Sequence, residues 1–184
     1  MKTFFLLLLI GFSAISCTDR NTETKTDQLP PITQTGANTA GCLVDGKVLI
    51  PKNGSQAIGG PPAYGLVISR LYGSFRLDIK NYKNAFIHLF IKKLEDNKSI
   101  YNIEQSDGEF YEPHSNNSES QLSISYNYKE YLSSSNSGTI NITKNSYPII
   151  SGTFTATLYN KDNPSEKINI TEGRFDINVT TLNK

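Results

Sequence analysis

The side chains of this chain that could perform nucleophilic or acid–base chemistry near neutral pH are two histidines and two cysteines. His88 lies inside the apolar run 86–90, which favours a core or barrel-lining position over a catalytic one. His114 lies in a polar stretch that is typical of a solvated loop. The Gly-x-Ser-x-Gly motif, which places a serine nucleophile on a sharp turn, is missing. The sequence therefore predicts no catalytic residues and a protein that is not an enzyme.

Metal ligands are also scarce. Zinc needs three or four His, Cys, Asp or Glu ligands at recognisable spacing, and isolated histidines with a lone thiol do not supply them. The loop 160–166 is rich in side-chain oxygens, but Pro164 interrupts it and the residue order of an EF-hand loop is missing. A plain hairpin loop is the simpler interpretation, and we expect neither a metal nor another cofactor.

Tyrosine is a broader candidate for binding chemistry, since the chain has 10 tyrosines and no tryptophan. Aromatic rings near Asn and Ser suit stacking on sugars or peptides. The densest group lies in the segment 126–131, so the predicted binding patch consists of Tyr126, Tyr128 and Tyr131. The alternative is that these tyrosines are half-buried strand residues whose hydroxyls reach water.

The start of the chain has the layout of a secretion signal. A basic start at Lys2 is followed by the apolar run 4–12 and by small residues that end at Ser16. The apolar run is too short to span a bilayer, which takes about 20 residues. The cysteine that follows, Cys17, gives the segment a resemblance to the bacterial lipobox. That resemblance implies cleavage after residue 16 and a diacylglyceryl group on the sulfur of Cys17, with further acyl chains such as palmitate. The alternatives are an uncleaved anchor and a cleaved signal without lipid.

Net charge and cysteine content exclude further classes of protein, namely nucleic-acid binders and disulfide-bonded domains. The chain has 18 basic and 17 acidic residues, and removing a signal that contains Lys2 leaves a formally neutral protein. A neutral chain lacks the basic face that a nucleic-acid partner requires. With Cys17 lipidated, Cys42 is alone, so no disulfide can form within the chain. Its alternation with apolar neighbours predicts a small buried residue rather than a reactive thiol.

The chain divides into three parts by composition. Residues 1–16 form the predicted signal peptide. Residues 17–40 are polar and contain Pro30-Pro31, which predicts the lipidated cysteine followed by a disordered linker. Residues 41–184 form one predicted domain, and their apolar residues recur with a period of two rather than 3.6.

The domain is predicted to be all-β. Asp45-Gly46 between apolar runs indicates a hairpin. The run 85–91 reads as a central strand, and Gly173 suggests a bulge in the last strand. Nine or ten short strands with turn signals between them indicate a single antiparallel β-sandwich, with an irregular β-barrel as the alternative.

Three segments carry a resemblance to a known group of proteins. They are Thr33–Val48, Ser137–Thr143 together with Ile150–Phe154, and Ile168–Ile177. In these segments the chain resembles a family of envelope lipoproteins from Bacteroidetes, flavobacteria especially. The resemblance implies a lipoprotein of a Gram-negative envelope, anchored in the outer membrane on its periplasmic or its cell-surface side. It implies no activity and transfers no site residues.

Together these features predict a membrane-tethered, non-catalytic binding module whose partner is an envelope protein or a glycan. The alternative is a structural lipoprotein or a β-barrel that carries a small apolar ligand. The two differ in a testable way, because the first needs an exposed site over a filled core and the second needs an empty apolar cavity.

Overall fold

The computed structural model describes residues 27–56, 58–110 and 119–184. These residues form ten strands and no helix. Every pairing between strands is antiparallel, which confirms the prediction of an all-β antiparallel domain. The strands are β1 (Thr39–Val44), β2 (Lys47–Leu49), β3 (Leu66–Ser69), β4 (Phe75–Asn81), β5 (Ala85–Ile91), β6 (Ile100–Ile103), β7 (Ser120–Tyr126), β8 (Lys129–Ser146), β9 (Ile149–Asn160) and β10 (Lys167–Asn178).

The strands form one sheet in the order β2-β1-β10-β9-β8-β7-β5-β4-β3, and β6 pairs with β8 beside this path. The sheet curls into a half-barrel around one core. Phe75 of β4 and Phe175 of β10 show the curl, because four strands lie between them in the sheet and yet their ring centroids are 5.8 Å apart. The inner faces of the two halves therefore meet directly.

Alternation along the strands decides which side chains enter the core. In β4, Phe75, Leu77 and Ile79 are fully buried, whereas Arg76 and Lys80, which alternate with them, lie half-buried on the outer face. The predicted hairpin at Asp45-Gly46 joins β1 to β2 with positive φ angles at both residues. The predicted bulge in the last strand is also present, since the β9–β10 register shifts between Ile170 and Gly173.

The longest strand, β8, changes partner midway. Its start pairs with β7 and its second half with β6, and its register with β9 shifts between Ser133 and Gly138. A Cβ at Gly138 would overlap the backbone oxygen of Thr155. Glycine therefore allows β8 and β9 to approach closely directly after this register shift.

The structure differs from the predicted organisation at the N-terminal side of the domain. Residues 17–40 were predicted as a disordered linker, but their described part, 27–40, lies against the sheet and includes the start of β1 at Thr39. Composition missed this contact because hydrogen bonds hold most of the segment, and of its residues only Ala40 belongs to the buried hydrophobic core. The predicted signal peptide 1–16 and the predicted lipidation site Cys17 lie outside the described residues.

Candidate functional site

Two hairpin tips meet at one end of the sheet. The β4–β5 turn covers residues 82–84, and the β7–β8 turn consists of Asn127 and Tyr128. The tips are neighbours because β5 pairs with β7, so that Ala85 lies opposite Tyr126. The backbone N–H of Asn127 donates to the carbonyl oxygen of Asn84 at 2.9 Å, and this bond joins the two turns into one unit.

Tyr128 occupies an unusual backbone position. Asn127 and Tyr128 have φ angles of +49° and +65°, the signs that a two-residue type I′ turn requires at both positions. Glycine is the favoured residue at the second position, and a bulky side chain there is a backbone outlier. The tyrosine ring nevertheless stands in solvent, with a relative exposure of 102%. Neither turn preference nor core packing accounts for a tyrosine at this position.

The two tips enclose a cavity of about 180 Å³, which we call the tip pocket. Its aromatic wall contains Tyr82 and Phe86, whose ring centroids are 5.4 Å apart and whose planes meet at 72°. The neighbouring loop presses on this wall, since a Cβ at Gly54 would lie 2.8 Å from Cγ of Tyr82. The complete lining is Tyr82, Lys83, Asn84, Ala85, Phe86, Ser125 and Tyr128.

The structure does not bring the predicted patch of Tyr126, Tyr128 and Tyr131 together. Tyr126 is half-buried and packs against the core. Tyr131 is 4% exposed and donates its hydroxyl to Glu166 at 2.7 Å. Burial, together with this carboxylate, raises the pKa of Tyr131 to about 12. Of the three, Tyr128 alone lines the tip pocket, where its aromatic partners are Tyr82 and Phe86, while Tyr126 lines an adjoining cavity.

Apart from the tip pocket, a cluster of charged side chains lies on the outer face of β4 and β5. Asp78 is 2% exposed, and its carboxylate contacts His88 Nδ1 at 2.9 Å, Arg76 Nε at 3.2 Å and Lys80 Nζ at 3.5 Å. Burial opposes ionisation of this carboxyl group. The hydrogen bond to His88 and the charges of all three neighbours outweigh burial, and they lower the pKa of Asp78. His88, predicted as a core or lining residue, therefore faces outward.

The register also places Ser123 beside His88, so that Ser123, His88 and Asp78 form a row across β7, β5 and β4. This is the order of a nucleophile, a base and an orienting carboxylate. However, Ser123 is 3% exposed, and no hydrogen bond joins it to His88 in the described part of the chain. The His88 ring stacks on Phe110 instead, with centroids 5.5 Å apart. The row lacks an accessible nucleophile.

The described ranges contain neither a cluster of metal ligands nor an accessible thiol. No three His, Cys, Asp or Glu side chains cluster there. In the oxygen-rich loop, the side-chain oxygen of Asn160 accepts from the N–H groups of Asp162 and Asn163, while Glu166 binds Lys129 and Tyr131. The predicted burial of Cys42 is confirmed, since this residue is fully buried. Burial raises its thiol pKa to about 12, so the thiol stays protonated.

The carboxylate of Asp176 fastens the N-terminal segment to the sheet, and we call this arrangement the Asp176 clamp. It accepts five hydrogen bonds of 2.6–3.2 Å from hydroxyl and backbone N–H groups of Thr33–Ala37, and one of 2.7 Å from Ser151. Burial opposes ionisation, but these donors outweigh burial and hold the pKa of Asp176 well below its usual range. The protein's own carboxylate fills this donor cluster, which therefore has a structural role.

Comparisons with known proteins add no relative. No family model, no curated protein and no solved structure matches the chain. The described residues also include no helix that is long and apolar enough to cross a bilayer. Function must therefore be argued from the tip pocket, the outward polar cluster and the Asp176 clamp themselves.

Proposed function

We propose that the protein is a lipid-anchored envelope lipoprotein that acts as a non-catalytic binding module, with the tip pocket as its recognition site. Its partner is an envelope protein or a glycan. The observation that carries the proposal is the ring of Tyr128, which a glycine-type turn position presents fully to solvent. Tyr72 shares the positive φ and the exposure, but Tyr128 also lines a pocket with two further aromatic rings, and this combination supports contact with a partner.

The proposed anchor is the lipidated sulfur of Cys17, which places the protein at the outer membrane. Because the segment from residue 27 onward packs against the sheet, residues 17–26 would connect the lipid to the domain. A chain of that length spans at most about 35 Å when fully extended. The binding module would then work close to the membrane surface, on either leaflet.

The filled core supports a surface site over an internal ligand. Phe75 and Phe175 approach each other across the half-barrel, and Tyr101 and Phe154 are buried in the same core. Side chains thus occupy the space where a carrier barrel would hold an apolar ligand. The binding-module proposal also fits the burial of Ser123, which keeps the one serine aligned with His88 and Asp78 away from substrates.

The recognition site can be tested by retention of envelope components on the immobilised full chain. The variant Tyr128→Ala removes the ring, and alanine tolerates the positive φ no worse than tyrosine does. Tyr72→Ala is the matched control, because Tyr72 also has a positive φ and is 92% exposed, but lies in the β3–β4 turn at the opposite end of the sheet. A component lost with Tyr128→Ala and kept with Tyr72→Ala supports the proposal. Equal retention by all three proteins contradicts it.

The anchor has a separate test, since it rests on residues outside the described part of the chain. Cys17→Ser removes the sulfur that would carry the lipid. We expect the wild type in the membrane pellet and the variant in the soluble fraction or retained as an unprocessed precursor. Recovery of a processed Cys17→Ser protein in the pellet at the wild-type level would show that the lipid is not the anchor.

A further inference from the structure

We propose that the tip pocket binds an uncharged sugar ring of a glycan. This inference rests on the proposed function and selects one of its two partner classes. The pocket offers three aromatic rings, from Tyr82, Phe86 and Tyr128, around a space suited to one ring-sized group. Three observations, on its walls, its charge and its size, lead to a neutral sugar.

The aromatic walls are arranged for a ring with apolar faces and polar edges. Tyr82 and Phe86 meet nearly at right angles, so they form a corner instead of a flat plate. A sugar ring carries C–H bonds on its faces, which pack on the face of an aromatic ring. Tyr128 stands free on the opposite hairpin, where its ring can cover a bound group from the other side.

The polar groups of the lining are mostly uncharged. Asn84 brings an amide, and Ser125 brings a hydroxyl. Amides and hydroxyls both donate and accept hydrogen bonds, as the hydroxyl groups of a sugar do. Lys83 is the one charged residue of the lining, and it lies exposed on the turn. The walls thus lack the paired or clustered cations that recognise phosphate, sulfate or uronic acid groups.

The size of the pocket also favours a sugar over a protein. A stable protein interface buries about 800 Å² on each partner and has a broad apolar centre. The tip pocket is a small concave site on two turns, and the nearby exposed face bears Asn127 and Lys129, whose amine pairs with Glu166 at 2.8 Å. A protein partner would find here one aromatic corner and, in the adjoining cavity that shares Asn84, the exposed side chain of Val48, which together fall short of a broad apolar centre.

The experiment is a glycan array probed with the full lipidated chain in a zwitterionic detergent that contains no sugar. The printed probes are neutral oligosaccharides of glucose, galactose, mannose and N-acetylglucosamine, together with matched probes that carry uronic acid or sulfate. The proteins are the wild type, Tyr128→Ala and the control Tyr72→Ala. We expect binding to a subset of neutral probes, about tenfold weaker with Tyr128→Ala and unchanged with Tyr72→Ala.

The outcomes separate this inference from the proposed function. A preference for the charged probes, or sugar binding that is insensitive to Tyr128→Ala, would overturn the neutral-sugar inference. An empty array combined with Tyr128-dependent retention of an envelope protein would also overturn it, yet leave the binding-module proposal intact. An empty array without any Tyr128-dependent retention would overturn both.

Discussion

Asn127 donates its backbone N–H to the carbonyl oxygen of Asn84 at 2.9 Å, and this bond joins two hairpin tips that are far apart in sequence. A weaker contact of 3.4 Å joins their side-chain amides. Because the two turns are held together, Tyr128 on one tip and Phe86 beside the other line the same pocket. The candidate site is thus a product of strand order, since it exists only when β5 and β7 are neighbours.

Replacing Tyr128 with glycine should stabilise the fold. Glycine adopts a positive φ without a steric penalty, whereas tyrosine at φ +65° has a steric clash of its Cβ. The exposed ring of Tyr128 gives little packing energy to offset that clash. We expect the free energy of unfolding to rise by about 1 kcal/mol in denaturant titrations. A loss of stability would show that the ring contributes packing in the folded protein, which would remove the argument that it is kept for a partner.

The Asp176→Asn variant should weaken the fold at its N-terminal side. An asparagine amide nitrogen would face donors that now point at a carboxylate oxygen, so several hydrogen bonds of the clamp are lost. We expect about 2–4 kcal/mol less stability and faster proteolysis within residues 27–37. Glu172→Gln is the matched control, because Glu172 is 59% exposed and its pair with Arg174 should be worth less than about 0.5 kcal/mol. Equal effects of the two variants would contradict the clamp.

The same carboxylate predicts how stability depends on pH. The pKa of Asp176 is lower in the folded protein than in the unfolded chain, where it is about 3.9. Its stabilisation is therefore fully present above about pH 5 and is lost as the pH falls below 4. The difference in unfolding free energy between wild type and Asp176→Asn should shrink over this range. Asp78, whose pKa is also lowered, is common to both proteins and cancels from the difference. A difference that is constant from pH 7 to pH 3 would argue against an ionised clamp.

The buried thiol of Cys42 gives a probe for the opening of β1. Because it is fully buried and its pKa is raised to about 12, it should resist alkylation in the folded protein at pH 8. In the Cys17→Ser chain, which leaves Cys42 as the only thiol, we expect labelling to be slower by about 10³-fold than in denaturant. Rapid labelling under native conditions would show that β1 is not firmly paired with β10.

Period-two alternation made the fold class predictable from the sequence. In β4 and over 151–158 of β9, apolar or small residues alternate with polar ones, which identifies both segments as strands. The Asp45-Gly46 turn and the Gly173 bulge could be predicted for the same local reason. Strand order could not be predicted, because the pairing of β1 with β10 joins segments that are distant in sequence and leaves no local signal. The packing of residues 27–40 was missed because hydrogen bonds to residues distant in sequence, most of them to Asp176, secure it.

The candidate site was only partly accessible from the sequence. The local density of tyrosines identified Tyr128 but grouped it with Tyr126 and Tyr131. In the fold, Tyr126 packs against the core and Tyr131 is buried. The informative signal was conformational. In a type I′ turn the residue after Asn127 is favoured to be glycine, so a tyrosine there marks a ring kept for another reason. Its partners Tyr82 and Phe86 require the β5–β7 pairing.

The proposed function requires that the ring of Tyr128 is retained for binding at the expense of the turn. The most direct measurement compares retention of envelope components by the full chain carrying Tyr128→Gly with retention by Tyr72→Gly, a change of the same kind at φ +52° in the opposite turn. Both changes relieve the backbone. We expect Tyr128→Gly to lose its ligand while unfolding at higher denaturant, and Tyr72→Gly to keep wild-type retention. Full retention by Tyr128→Gly would contradict a binding role for the Tyr128 ring.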